Sequence, residues 1–225
     1  MGLFFILATY HPRSKINDSK IVINNAKKGV GKMEKTSIEN KLEAKTVIHI
    51  GFTGHRPNKL GGYDLSARGY KELQEDLEIY IERNLNVYDI VVCHSGLALG
   101  GDTIWSKAIL SMKDKYPNRV LFHAEIPMLE QADAWFKQSD IDFWHEQVNR
   151  ADFKSIYGSL ANLSEAERKR MSSRYLNERN VGMIEHSHIM LALHDGTSGG
   201  TGNAVRDAQK RNIPVYAVHP NVYFA

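Results

Sequence analysis

The sequence predicts an α/β fold, a three-layer α/β/α sandwich with a mostly parallel sheet of about six strands. Short apolar runs rich in β-branched residues alternate with amphipathic stretches of helical period, which is typical of parallel strands joined by helices. Most of these runs are almost continuously apolar, as expected of strands buried on both faces of a sheet. Because such crossovers are right-handed, helices are expected on both sides.

Six runs form the predicted strands, namely residues 47–52, 90–93, 120–126, 153–157, 189–193 and 215–218. Apolar stripes over residues 70–81 and 104–112 predict the first two helices. Two longer helices are predicted over residues 130–150 and 164–187, and Ser164 is the expected N-cap of the second. A short helix from about residue 202 to 211 ends before Pro214.

The charge of the chain is unevenly distributed. Its 225 residues carry a formal net charge of +3, but residues 1–45 carry +5 and residues 46–225 carry −2. Residues 1–45 also lack a sustained period and are predicted to form a poorly ordered basic extension, with residues 46–225 as the single domain. Alternatively, translation starts at Met33, since residues 28–33 resemble a translated ribosome-binding site. Because residues 46–225 carry a net negative charge, nucleic acid is disfavoured as a partner.

The composition excludes several classes of protein. The single cysteine, Cys93, rules out an internal disulfide framework and a cysteine-based zinc site. No apolar run approaches the roughly 20 residues that cross a bilayer, so no membrane partner is expected. The chain start lacks the positive residue of a signal peptide, and a cytoplasmic location is expected. The ten histidines show no metal-ligand spacing, and no metal site is expected.

Ligands of open parallel sheets bind beyond the carboxyl ends of the strands, so the loops there are the candidate site. The first loop supplies five candidate ligand residues: Gly51, Thr53, Gly54, His55 and Arg56. Its glycines allow the backbone to approach a ligand, and its arginine can make a bidentate contact to phosphate or carboxylate. A tight turn with a surface arginine explains the same residues equally well.

The second loop supplies Ser95, Gly96, Gly100, Gly101 and Asp102. Free amides at the start of the following helix would bind an anion. Asp102 would bond a ribose hydroxyl or act as an acid or base. As an alternative, Asp102 only stabilises the helix as a cap or first-turn residue.

The third loop is the most specific local signal in the chain. Its candidate ligand residues are Asp195, Thr197, Ser198, Gly199, Gly200, Thr201, Gly202 and Asn203. Glycine and small polar residues fill all nine positions from 195 to 203, more than a turn needs. They predict a backbone cradle for phosphate at a helix N-terminus.

Two further positions on predicted helices are candidates. Asn177 and Arg179 would reach a phosphate or a base edge, or they form a solvated helix face. Trp135 would cap a base, although core packing explains it better.

Together, the three loops resemble the YspA/YpsA-like branch of the SLOG superfamily over about residues 46–219. The resemblance implies a Rossmann-like fold that binds a phosphorylated, ribose-containing nucleotide or an NAD- or ADP-ribose-derived ligand, as a sensor or sequestering module. Related branches include a DNA-processing protein and the LOG phosphoribohydrolases, which cleave the base from a nucleoside monophosphate.

The LOG motif, P-G-G-x-G-T-x-x-E, gives a test for catalysis. Gly199, Gly200 and Gly202 match its glycines, whereas Val205 and Arg206 stand where that branch carries acids. An N-glycosidase is therefore the alternative function, with Asp102 or Glu178 as the catalytic carboxylate. A DNA-processing module is a third class. No cofactor is expected besides the nucleotide ligand, and association into a homo-oligomer stays open.

Overall fold

The computed structural model describes residues 45–225. A six-stranded sheet, parallel throughout, forms its centre, with the strand order β4-β3-β2-β1-β5-β6. The strands are β1 (Val47–Gly54), β2 (Ile90–Ser95), β3 (Val120–Ile126), β4 (Phe153–Ile156), β5 (Ile189–Leu193) and β6 (Val215–Val218). This architecture confirms the predicted fold class. Residues 1–44 of the predicted extension, including Met33, lie outside the described residues.

Five helices cover the two faces of the sheet. They are α1 (Arg68–Asn84), α2 (Gly101–Lys115), α3 (Gln138–Arg150), α4 (Glu165–Glu185) and α5 (Gly200–Lys210). The chain moves from β1 to β4 in one direction and then returns across β1 to β5 and β6. Because the crossovers are right-handed, α1, α2 and α3 lie on one face and α4 and α5 on the other. Among residues 45–225, no helix is long and apolar enough to span a membrane.

Alternation along β1 separates an apolar face from a polar one. Ile48, Ile50 and Phe52 are buried in the main core, where Phe52 stacks on Trp105 of α2 with ring centroids 5.6 Å apart. The intervening residues face α4 and α5. There, the space that a Cβ of Gly51 would occupy is taken by the Met190 thioether. Gly51 therefore belongs to the packing of the sheet.

The predicted start of the third helix is wrong, because α3 begins only at Gln138. The preceding residues form turns that side-chain hydrogen bonds tie to neighbouring loops. The Glu130 carboxylate accepts hydrogen bonds from Ser159 Oγ at 2.7 Å and from the Leu160 amide at 2.8 Å. Gln131 Nε2 donates to the Gly96 carbonyl at 3.0 Å. These contacts are far apart in sequence, so helical periodicity does not reveal them.

The edge of the sheet and the start of α4 provide two further comparisons with the prediction. Strand β4 is an edge strand whose Phe153 and Ile156 are exposed, unlike the buried strand β5. Ser164 does cap α4, as predicted. Its hydroxyl accepts from the Glu167 amide, and the Glu167 carboxylate accepts from the Ser164 amide.

Candidate functional site

The three predicted loops meet where the strand order reverses. Strands β1 and β5 are neighbours, but the chain leaves them in opposite directions, and such switch points are where open α/β sheets bind ligands. The His55 amide donates to the Leu193 carbonyl at 3.2 Å, and the Gly101 amide donates to the His55 carbonyl at 3.0 Å. Thr201 Oγ1 donates to the Gly54 carbonyl at 3.0 Å. The residues after β1 therefore hold the other two loops in place.

Close backbone packing explains several of the glycines in these loops. A Cβ on Gly54 would lie only 2.8 Å from the Gly101 Cα, so the two glycines allow β1 and α2 to touch. Gly100 has a φ of 102°, and a Cβ there would overlap the His55 carbonyl oxygen. These three glycines shape the floor of the site by bringing backbone against backbone.

A buried ion pair joins three elements beneath the loops. The side chains of Asp102, at the start of α2, and Arg179, on α4, are only 5% and 8% exposed. Asp102 Oδ1 accepts from the Gly54 amide at 3.2 Å, and Oδ2 accepts from Arg179 Nη1 at 3.2 Å. The Arg179 guanidinium lies where a Cβ of Gly96 would stand, so only glycine leaves room for it. Both oxygens of Asp102 therefore have partners.

The structure places three predicted ligand residues and the candidate catalytic residue Glu178 away from the site. Gly51 lies within β1, as described above, and Ser95 is fully buried with its hydroxyl 2.9 Å from Ser106 Oγ. Asn177 is exposed on α4. Glu178 pairs with Arg174 Nε at 2.7 Å. Successive helical residues are about 100° apart, so Glu178 points away from the buried Arg179. The sequence alone did not show which side of α4 faces the core, because tertiary packing decides that orientation.

Asp195 organises the third loop from within. Its Oδ1 accepts from the Thr197 amide at 2.9 Å and from Thr197 Oγ1 at 2.6 Å, and it lies 2.6 Å from His55 Nε2. The Lys59 ammonium also contacts Thr197 and lies 3.8 Å from Asp195 Oδ2. Hydrogen bonds from Thr197, together with His55, hold the pKa of Asp195 well below its usual range. Asp195 is therefore a charged residue that fixes the loop.

Helix α5 begins against open space. Its N-cap, Gly199, has a φ of 145°, and the first turn has no side-chain cap and no acidic residue. A Cβ on Gly196, Gly199 or Gly200 would meet no atom within 4 Å. Ser198 is exposed beside them, and Asn203 accepts a hydrogen bond from Arg206. The first amides of a helix have no intrahelical acceptor, so those of α5 are available to an anion.

Positive charge exceeds negative charge around Asp102. Within residues 45–225, the exposed Arg56 side chain makes no hydrogen bond or ion pair. Desolvation by the surrounding protein lowers the pKa of Arg56. The negative charge of the nearby Asp102 opposes this change, and the positive charge of Arg179 reinforces it. Arginine side chains in proteins carry a positive charge. Two arginines against one carboxylate leave a positive charge for an anionic ligand.

An aromatic pocket adjoins this charged region. It has a volume of about 440 Å³ and is lined by Tyr63, Leu99, Ala134, Trp135, Phe136, Lys137 and Asp140. Leu99 precedes Gly100, which packs on His55 and Arg56, and the Tyr63 hydroxyl is close enough to influence the pKa of Arg56. Phe136 is 100% exposed, and Trp135 is partly buried against the core. Sequence reasoning missed Phe136 and Tyr63, because isolated aromatic residues in turns have no periodicity.

Two groups of side chains among residues 45–225 offer donors that could hold a metal ion. His55, His194 and Asp195 lie within the candidate site, where the buried Nδ1 of His194 has no hydrogen-bond partner among the described residues. His94, His123, Glu125 and His186 form the other group. The sequence showed neither, because each group combines residues that are far apart along the chain.

Comparisons with known proteins give a limited set of similarities. No family model matches the chain. An uncharacterised SPbeta prophage-derived protein, YoqJ of Bacillus subtilis (strain 168), is 27% identical over 141 residues, covering 58% of this chain and 77% of that protein. The resemblance to the YspA/YpsA-like branch therefore stays a prediction.

Two solved structures of DNA processing protein A are similar at 16% identity, and each alignment covers 76% of this chain. The Streptococcus pneumoniae protein aligns with a TM-score of 0.49 and the Helicobacter pylori protein with 0.48. The chain spans 50% and 65% of the lengths of these two proteins. The Helicobacter pylori protein is described by its single-stranded DNA binding mode. For this chain, the expectation that nucleic acid is not a partner stays a prediction.

Proposed function

We propose that this protein binds a phosphorylated, ribose-containing nucleotide, including NAD- and ADP-ribose-derived molecules, as a sensor or sequestering module. The observation that carries the proposal is that Arg56 follows the strand end on which the start of α5 rests, and that this helix start has no side-chain cap. Arg56 has no partner among the described residues, and Thr201 of α5 bonds to Gly54, two residues away from it. A guanidinium and free helix amides together are a strong phosphate-binding combination.

The neighbouring pocket favours a nucleotide over a simple anion. Its volume of about 440 Å³ falls within the usual range of small-molecule sites, about 300–1,000 Å³. Tyr63, Trp135 and Phe136 provide rings on which a base can stack. A ligand with phosphate at Arg56 and its base among these rings would use both regions.

The surroundings of Asp102 favour binding over N-glycosidic cleavage. A carboxylate that stabilises a ribose cation needs an oxygen facing the sugar. Both oxygens of Asp102 are engaged, by the Gly54 amide and by Arg179, and Glu178 points away on α4. The carboxylate of the LOG motif is also missing, since Val205 and Arg206 occupy its place. A binding role needs no such group.

The test is to incubate the purified protein with AMP, IMP, NAD and ADP-ribose and to measure bound ligand and released base by mass spectrometry. Affinity for the retained ligand is then measured by calorimetry in Arg56→Ala. A hydrogen bond to a charged group contributes about 1.5–3 kcal/mol, so a loss of about 10- to 150-fold is expected. Arg68→Ala is the matched control, because Arg68 is 90% exposed and, among residues 45–225, pairs only with Glu72 in α1.

Each outcome decides between the candidate functions. Bound, intact nucleotide whose affinity falls in Arg56→Ala but not in Arg68→Ala supports the proposal. Unchanged affinity in Arg56→Ala would remove this residue from the site. Released base would establish the N-glycosidase instead. Failure of all four ligands, together with salt-dependent retention on DNA, would favour the DNA-processing alternative.

A further inference from the structure

A polar cluster lies on the α4 face of the sheet and shares no residue with the nucleotide site. It consists of His94 on β2, His123 and Glu125 on β3, and His186, the C-cap of α4. Strand register sets His94 beside His123, and strand alternation places Glu125, two residues further on, on the same face. Four metal-ligating side chains from three elements thus converge on one point.

The donor atoms are close enough to share one ion. Glu125 Oε1 lies 3.0 Å from His94 Nδ1, 2.8 Å from His186 Nδ1 and 3.8 Å from His123 Nε2. The ligand atoms of all four residues lie within 4.8 Å of one another. In a tetrahedral zinc site with nitrogen and oxygen ligands, donor atoms are about 3.3 Å apart, given bonds of about 2.0–2.1 Å. The cluster therefore needs only small side-chain adjustments to reach that geometry.

Surrounding hydrogen bonds orient the donors as an outer coordination shell does. His94 Nε2, the ring nitrogen that does not face Glu125, lies 2.9 Å from His49 Nδ1. The second oxygen of the carboxylate, Glu125 Oε2, accepts from the Tyr157 hydroxyl at 2.8 Å. Metal-binding histidines usually make a hydrogen bond through their other nitrogen, and metal-binding carboxylates are likewise supported.

The burial of the cluster is uneven and leaves a path for entry. The side chains of His94 and Glu125 are fully buried, that of His123 is 17% exposed and that of His186 is 44% exposed. His123 Nε2 lies 2.8 Å from Ser155 Oγ, so a bound ion would replace this hydrogen bond. An ion can reach the buried donors from the side of His186.

We propose that His94, His123, Glu125 and His186 bind one divalent transition-metal ion of the zinc class. Three imidazoles and one carboxylate suit zinc and its neighbours among the transition metals. Four protein ligands close the coordination sphere, so the ion has a structural role. It would fasten the C-terminal end of α4 to β2 and β3. The proposal does not depend on the nucleotide site, since its ligands are separate.

The test uses full-length, untagged protein that has been stripped with a chelator and dialysed. Zn²⁺ is titrated by calorimetry, and Co²⁺ is added as a spectroscopic probe whose visible bands report four-coordinate geometry. One equivalent of each ion is expected to bind. Loss of an outer-shell partner typically costs 10- to 100-fold in affinity, so His186→Gln and Glu125→Gln, which remove ligands, should cost at least about tenfold.

His145→Gln is the matched control, because His145 is an exposed histidine on α3, outside the cluster. His186 is partly exposed at a helix end, so His186→Gln should stay folded, as circular dichroism would show. The proposal is overturned by the lack of a saturable one-equivalent site or by a six-coordinate Co²⁺ spectrum. It is also overturned if His186→Gln binds like the wild type, which would make the cluster a hydrogen-bonded network only.

Discussion

Gly96→Ala is expected to break the ion pair between Arg179 and Asp102 without touching either residue. The Arg179 guanidinium occupies the space that the new methyl group would need. To restore an ordinary contact distance, the guanidinium must move by roughly 2 Å. Its Nη1 is 3.2 Å from Asp102 Oδ2, so such a movement takes the ion pair beyond hydrogen-bond distance. The φ of Gly96 is not positive, so alanine itself causes no backbone strain there.

The magnitude follows from the burial of the pair. Breaking a buried ion pair by removing one partner costs about 3–5 kcal/mol, because the other charge stays buried without compensation. Asp102 keeps its hydrogen bond from the Gly54 amide, so the lower end of that range, about 3 kcal/mol, is expected for Gly96→Ala. In an Arg179→Ala background the methyl group meets no guanidinium. There, Gly96→Ala should change the free energy of unfolding by less than about 1 kcal/mol.

Equilibrium urea unfolding of the wild type, the two single variants and the double variant gives the four free energies of this cycle. The expected coupling between the two sites is about 2–3 kcal/mol. Independent sites add to within about 0.3–0.5 kcal/mol. Additivity of Gly96→Ala and Arg179→Ala at that level would refute the claim that Gly96 is needed to seat the arginine.

Three further predictions follow from individual contacts. Ser164→Ala removes the N-cap of α4 and should lower the free energy of unfolding by about 1 kcal/mol in urea, with the exposed Ser173→Ala as the control. Asp195→Asn should lower the urea midpoint at pH 7. Because the folded pKa of Asp195 lies well below its unfolded value, the benefit is fully present above the unfolded pKa of about 3.9 and is lost as pH falls through the folded value, so the difference between the two midpoints should begin to narrow near pH 4 and be smaller at pH 3 than at pH 7. A constant difference between pH 7 and pH 3 would contradict this assignment. Phe136→Ala should leave stability unchanged, since the ring is fully exposed, but weaken nucleotide binding about tenfold through lost stacking. Binding of ribose 5-phosphate, which has no base, should not change, and an equal loss for both ligands would place the base elsewhere.

Local patterns allowed most of the fold to be predicted from the sequence. The runs at 120–126, 189–193 and 215–218 coincide with β3, β5 and β6, because apolar residues dominate each run, although β3 also carries His123 and Glu125. The cap at Ser164 was visible because capping is decided within four residues. The start of α3 was missed because Glu130 and Gln131 bond to residues about 30 positions away, and those bonds outweigh local helix preference.

The sequence by itself determined the sheet, the helices and the loops at which ligands would bind, because periodicity and glycine content are properties of neighbouring residues. Tertiary structure alone decided how the side chains of those elements meet. It turned Arg179 inward and Glu178 outward, and it assembled His94, His123, Glu125 and His186 from separate elements. The physical reason is that strand order and register, set by long-range packing, determine which side chains share a face.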